Sequence, residues 1–234
     1  MLNEITILAF TAASIGFFHT LFGPDHYLPF IMMSKARNWK MRKTMLITFL
    51  CGLGHVGSSI VLGFIGISVG IAISKIEMFE SFRGNMAAWA FIVFGFVYLV
   101  WGIRQAIRNK PHTHLHIHGD GSEHEHLHSH KKEHSHVHGK KNITPWVLFT
   151  IFVLGPCEPL IPILMYPSAK SSISGLIFIT LIFAVVTIST MMTVVYLASL
   201  GYKFVPMKKM ERFSHAIAGF IIMFSGLGIQ LLGL

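Results

Sequence analysis

Charge is scarce in this chain: only 12% of its 234 residues are Asp, Glu, Lys or Arg, while 53% are hydrophobic. A water-soluble domain of that size would lack the polar surface to cover itself, so composition excludes that class and points to a lipid bilayer. Cysteine is nearly absent too. Two residues, Cys51 and Cys157, are too few for a disulfide scaffold, and both stand in apolar stretches. Residues 1–10 hold no positive charge and no small-residue cleavage site follows, so no removable signal peptide is expected and the first apolar run is read as a retained span. No phosphate-cradling nucleotide loop occurs, which argues against direct ATP drive by this chain.

A spanning helix needs roughly 20 mostly apolar residues. Six segments qualify: 4–33 (interrupted), 44–74, 86–107, 143–165 (interrupted), 171–201 and 213–234. The expected fold is an all-α integral membrane protein of six transmembrane helices, with helices 1 and 4 broken. The basic residues sort by side. Residues 34–43, 104–142 and 202–212 hold sixteen Lys and Arg, whereas the other loops hold only Lys75, Arg83 and Lys170. By the positive-inside rule the basic loops face the cytoplasm and both termini face outward. Localisation in the cytoplasmic (inner) membrane follows as the expectation. Trp101 and Trp146 flank the long loop as interfacial anchors would.

Apart from Glu4 at the very edge of the first span, only two of the ten acids, Asp25 and Glu158, fall within these expected spans. Each costs about 2.5–3.5 kcal/mol at a helix centre on an insertion scale, so each calls for a function. Both follow a Gly-Pro. Setting GPDHYLP (23–29) over GPCEPLI (155–161) matches Gly23 with Gly155, Pro24 with Pro156 and Leu28 with Leu160, and puts His26 opposite Glu158. The same register pairs Thr48 with Thr180 and His55 with Thr187. Two halves of three spans each must cross the membrane in opposite senses, which makes an inverted repeat. The expected units are 1–107 (first repeat), 108–142 (loop) and 143–234 (second repeat). Inverted repeats place a substrate site near the midplane between discontinuous helices.

The expected ligands are His19, Asp25, His26 and His55 from the first half, with Cys157 and Glu158 from the second. Imidazole, thiolate and carboxylate together suit a first-row divalent metal such as Ni, Co, Zn or Cu and not the all-oxygen shells of Mg or Ca. If His and Cys shed protons to bind, metal and proton compete at one place, a route to coupling. The bland readings are packing for a lone His19 and a small buried hydrophobe for Cys157. In CGLGHVGSS, Gly52, Gly54 and Gly57 read as permitting close helix approach.

Residues 112–138 hold eleven of the fifteen histidines. Such a tract cannot build a core, so it is expected to be disordered when empty and to bind transition metals with little selectivity.

HTLFGPDH in the first span, the His-rich loop and GPCEP opening the second half together resemble the NicO-type nickel/cobalt transporters. The likeness is to their UreH-like branch, within the wider LysE, TauE and CcdA group of small inverted-repeat membrane proteins. The classical permeases carry four residues between the His and the Asp-His, whereas five separate His19 from Asp25 here. The resemblance implies ligand roles for His19, Asp25 and His26; His55 and Glu158 rest on the reading of the residues themselves.

The expected function is transport of divalent transition metal, nickel or cobalt first, with export favoured over import because the loop is placed to gather cytoplasmic ions. The chain is not expected to be an enzyme, to use catalytic residues or to need a resident cofactor. Its expected partners are the metal ions and the bilayer, with a homo-oligomer and a metallochaperone left open, and no nucleic acid. The alternatives are a CcdA-like thiol-redox conduit, a TauE-type exporter of sulfite or organic anions, and a non-transporting metal buffer.

Overall fold

The computed structural model of the chain describes residues 2–70, 73–108, 112–117, 123–128, 143–157, 159–169, 173–201 and 211–232. Its first helix, α1 (Leu2–Phe22), runs until Gly23 donates to the carbonyl of His19 at 2.9 Å. Pro24 has no N–H and cannot extend the ladder, so the chain tightens into a 3-10 turn over Pro24–His26. It then restarts as α2 (Leu28–Ala36), with Pro29 in the first turn, where a missing N–H costs nothing. The second half repeats this device. Helix α5 (Thr144–Leu154) ends as Gly155 donates to Ile151, Pro156 and Pro159 interrupt the ladder, and α6 (Leu160–Ala169) follows.

Long apolar helices follow each break. Helix α3 (Met41–Val69) and helix α7 (Ile173–Gly201) have 29 residues each. Helix α4 (Ile73–Arg108) has 36 residues and α8 (Ser214–Leu232) has 19. Among the described residues, five helices are long and apolar enough to cross a membrane: Glu4–Phe22, Met41–Val69, Ser74–Arg108, Ile173–Gly201 and Ser214–Leu231. The remaining expected span, 143–165 (interrupted), is the pair of short helices α5 and α6, neither long enough to count among the five. Large apolar side chains such as Phe10, Trp89, Val97, Trp146 and Leu181 point outward and are exposed, as they are on a bundle whose solvent is lipid.

Helices α4 and α8 make the closest pair. A Cβ on Gly95 would strike the backbone of Met223, and one on Gly219 would strike the backbone of Leu99. Gly102 lies against Ala216 and Gly226 against Ala88, so the two helices run antiparallel. Small residues let backbones approach where no hydrophobic drive exists between helices in lipid. Elsewhere α1 packs on α7, α5 on α3, α3 on α7 and α2 on α8.

Two expectations need correction here. Helix α4 begins thirteen residues before the expected span at 86, so Glu80 and Arg83, assigned above to a loop, stand in a helix and are buried. The histidine segment, expected without order, has two backbone strands, β1 (His112–Ile117) and β2 (Glu123–His128), paired antiparallel with His112 opposite His128. Strict two-residue alternation, as in HTHLHI, is a strand pattern even without a core to bury. The described bundle is otherwise all-helical.

Candidate functional site

The first break carries three of the expected residues. His19 sits in the last turn of α1, Asp25 and His26 in the 3-10 turn, and His55 comes up from the middle of α3. The imidazole of His26 lies between the other two, with ring centres 4.8 Å from His19 and 5.0 Å from His55. Gly23 makes room for it: a Cβ there would strike the His26 ring and the His19 carbonyl. Asp25 Oδ1 approaches His26 Nδ1 at 3.2 Å without hydrogen-bond alignment. The second break adds Cys157. Ligand atoms of His19, His55 and Cys157 lie within 4.8 Å of one another, close enough to share one ion. Glu158 lies outside the described residues. Cys51 is buried one turn from His55 but packs with Phe30, Phe91 and Met191, whereas Cys157 packs with Val56, Leu160 and Leu164. Neither cysteine is in a disulfide.

The first break also sets which nitrogen of His26 is free. His26 Nδ1 lies 3.1 Å from the carbonyl of Gly23, and a carbonyl can only accept, so Nδ1 carries the proton and Nε2 is left as a lone pair. His55 stands edge to face with Phe152, ring centres 6.1 Å apart, and its Nδ1 lies beside Gly155, where the second break begins. Among the described residues, Nε2 of His19, His26 and His55 are all buried without a hydrogen-bond partner. An unpaired buried polar atom costs about 1–3 kcal/mol, so three in one place mark a site built to receive something. Imidazoles that donate their second nitrogen to a main-chain carbonyl are oriented as metal ligands are.

These groups line a cavity of about 370 Å³ whose other wall includes Ser81 and Asn85 of α4 and Gln230 of α8. Antiparallel packing puts Asn85 and Gln230 at one end of the bundle. At the opposite end Arg37 Nε donates to the Tyr98 hydroxyl at 3.0 Å, which lies 2.8 Å from Nδ1 of His215. The Arg37 guanidinium also covers the rings of Tyr98 and Trp101. Trp101, expected as an interfacial anchor, is therefore also part of this closure.

Sequence reasoning missed Glu80, Arg83 and Ser59. The break leaves the Val153 carbonyl and the Cys157 N–H without each other. Arg83 Nη2 donates to Val153 at 2.7 Å, and the Cys157 N–H donates to Ser59 Oγ at 3.0 Å. Ser59 in turn donates to Glu80 Oε2 at 3.1 Å, and Arg83 Nη1 pairs with Glu80 Oε1. The i, i+3 spacing of Glu80 and Arg83 was the available signal. Of the three glycines around His55, Gly54 meets Val153 and Phe149 and Gly52 meets Met191 and Ile188, as close approach requires, while Gly57 faces open space.

No curated protein and no solved structure gives a significant match. A family model described as the cytochrome c biogenesis protein transmembrane region matches residues 28–228. It supports the LysE, TauE and CcdA kind of membrane protein expected from the sequence and does not reach the nickel/cobalt subgroup. The match begins after His26, so HTLFGPDH lies outside it. With most of its length matched, the chain belongs to the cytochrome c biogenesis transmembrane-region family, a family of membrane transporters and electron conduits.

Proposed function

We propose that the chain carries a divalent first-row transition metal across the membrane, nickel or cobalt first, through a site formed by His19, Asp25, His26, His55 and Cys157, with Glu158 as a further carboxylate. The observation that carries this reading is that ligand atoms of His19, His55 and Cys157 lie within 4.8 Å of one another at the two helix breaks, with His26 between the two histidines and, among the described residues, no hydrogen-bond partner for Nε2 of any of the three rings. Nitrogen and sulfur donors with a carboxylate match the borderline metals. Asp25 and a Cys157 thiolate would balance a dication in a medium that tolerates no net charge. The packing of α1 on α7 and of α5 on α3 is the exchange that an inverted repeat requires, and supports alternating access around the site.

The positive-inside bias puts the histidine segment and the Arg37–Tyr98–His215 closure on the cytoplasmic side. The cavity, with Asn85 and Gln230 at the end away from that closure, would then open outward, the state from which an exported ion leaves. Metal entry into proteoliposomes, followed for Ni, Co, Zn and Cu, tests the reading. Wild type is expected to carry at least one of them, Asp25→Asn with His55→Ala none, and a chain lacking 112–138 nearly as much as wild type. No flux of any of the four by folded wild type would refute it.

The family description favours a second reading, a thiol-redox conduit. There the Cys51 and Cys157 thiols would pass two electrons and two protons to a partner disulfide, closing their own disulfide. The two thiols stand in separate core clusters, so this requires a rearrangement that the metal reading does not. Loss of activity in Cys51→Ala, with metal flux absent throughout, would decide for it.

A further inference from the structure

A helix break in a membrane needs its freed donors and acceptors satisfied. At the first break the side chains that do so come from the break itself: the Tyr27 hydroxyl donates to the Leu21 carbonyl at 3.3 Å and His26 Nδ1 to that of Gly23 at 3.1 Å. The second break is held by something far more expensive: Glu80 and Arg83, both buried, reaching α5 from α4 and joined through Ser58 and Ser59 to α3. Buried ion pairs are a weak source of stability, because desolvation offsets their attraction. A charged pair kept inside a membrane is a functional element by default.

We propose that the Glu80–Arg83 pair is a positioning unit for the Cys157 ligand. Its contacts fall on the two ligand-bearing strands of backbone. Through Ser59 it holds the Cys157 N–H, and Arg83 Nη2 holds the Val153 carbonyl four residues before. The same Nη2 donates to Ser58 Oγ at 2.7 Å, and Ser58 donates to the carbonyl of His55 at 2.9 Å. One guanidinium and one carboxylate thus fix Cys157 relative to His55. Ser81, Gly84 and Asn85, which flank the pair on α4, line the cavity, so a shift of α4 at the cavity wall is passed to the sulfur.

The test uses the full chain in lipid nanodiscs with Cys51→Ala, which leaves Cys157 as the one thiol, and follows its alkylation by a small neutral maleimide. Ser59→Ala and Glu80→Gln are each expected to raise the labelling rate about tenfold, the scale of one lost hydrogen bond. Tyr27→Phe, at the other break, is expected to leave it unchanged. Helix content and melting temperature identify any variant that has failed to fold, and Glu80→Gln, which keeps the side chain's size but removes the charge that pairs with Arg83, carries the test should Ser59→Ala be lost that way. A second readout rests on the metal reading. With Co(II), Ser59→Ala is expected to weaken the thiolate-to-cobalt charge-transfer band while the ligand-field bands from the imidazoles persist. Equal labelling in parent, Ser59→Ala and Glu80→Gln overturns the proposal, as does an equal rise in Tyr27→Phe. A labelling rise without any cobalt band in the parent upholds the positioning role and refutes the metal reading instead.

Discussion

Replacing Pro156 with alanine returns one N–H to the chain four residues after Phe152. In the native protein residue 156 has no N–H for the Phe152 carbonyl, and the chain leaves the helix before Cys157. Gly155, at φ −61 and ψ 128, has the extended conformation that a following proline imposes, and alanine lifts that restriction as well. Helix α5 can then add a turn that takes in Cys157. A main-chain hydrogen bond is worth about 0.5–1.5 kcal/mol net, so Pro156→Ala is not expected to lower stability. Cys157 would leave the place where its ligand atom lies within 4.8 Å of those of His19 and His55. On the metal reading, displacing it is expected to weaken affinity by at least the roughly 10–100-fold that loss of an orienting partner costs. The assay is calorimetric titration of Ni(II) and Co(II) into detergent-solubilised protein, alongside thermal melting. Weakened binding at unchanged or higher melting temperature is the expected result. Binding within threefold of wild type would refute the claim that the proline keeps Cys157 in place.

Three further outcomes follow from the same geometry. Gly23→Ala is expected to push His26 out from between His19 and His55 and to cost most of the Co(II) ligand-field signal, because the new Cβ meets the imidazole and the His19 carbonyl; an unaltered spectrum would contradict it. Gly219→Val is expected to be among the most damaging single changes to folding, by more than about 3 kcal/mol, because what it meets is the backbone of Leu99 and not a side chain that can turn away; yield and melting in detergent report it. Tyr98→Phe removes the hydroxyl that links Arg37 to His215 and is expected to loosen the closed end, read as faster solvent labelling of a cysteine placed at Phe94.

Much of this was legible from residues 19–30 alone. Gly-Pro punctuates a helix whatever surrounds it, so both breaks could be placed, and histidines beside a break have nowhere apolar to go. Glu80 and Arg83 could not be found by the same reasoning, because a hydropathy count penalises each charge singly. A pair at i, i+3 that neutralises itself and is covered by Ser58 and Ser59 escapes that penalty, and α4 continues where the count stops. The histidine segment misled for the opposite reason. Its polarity rules out a core, but strand pairing needs only backbone and alternation. Cys157 was the weakest of the expected ligands by type, and only its place opposite His19 and His55 gives it weight.

The contact between α4 and α8 sets how this protein can move. Where helices meet through side chains, one can slide past another by exchanging rotamers. At Gly95 and Gly219 peptide planes lie against peptide planes, and there is no such layer to yield. If the protein works by alternating access, as proposed, these two helices would be its stator and the rotor what surrounds them. The stroke that turns the cavity toward the other side of the membrane would then be made by the two broken hairpins and their long helices, swinging about a rod that itself stays still.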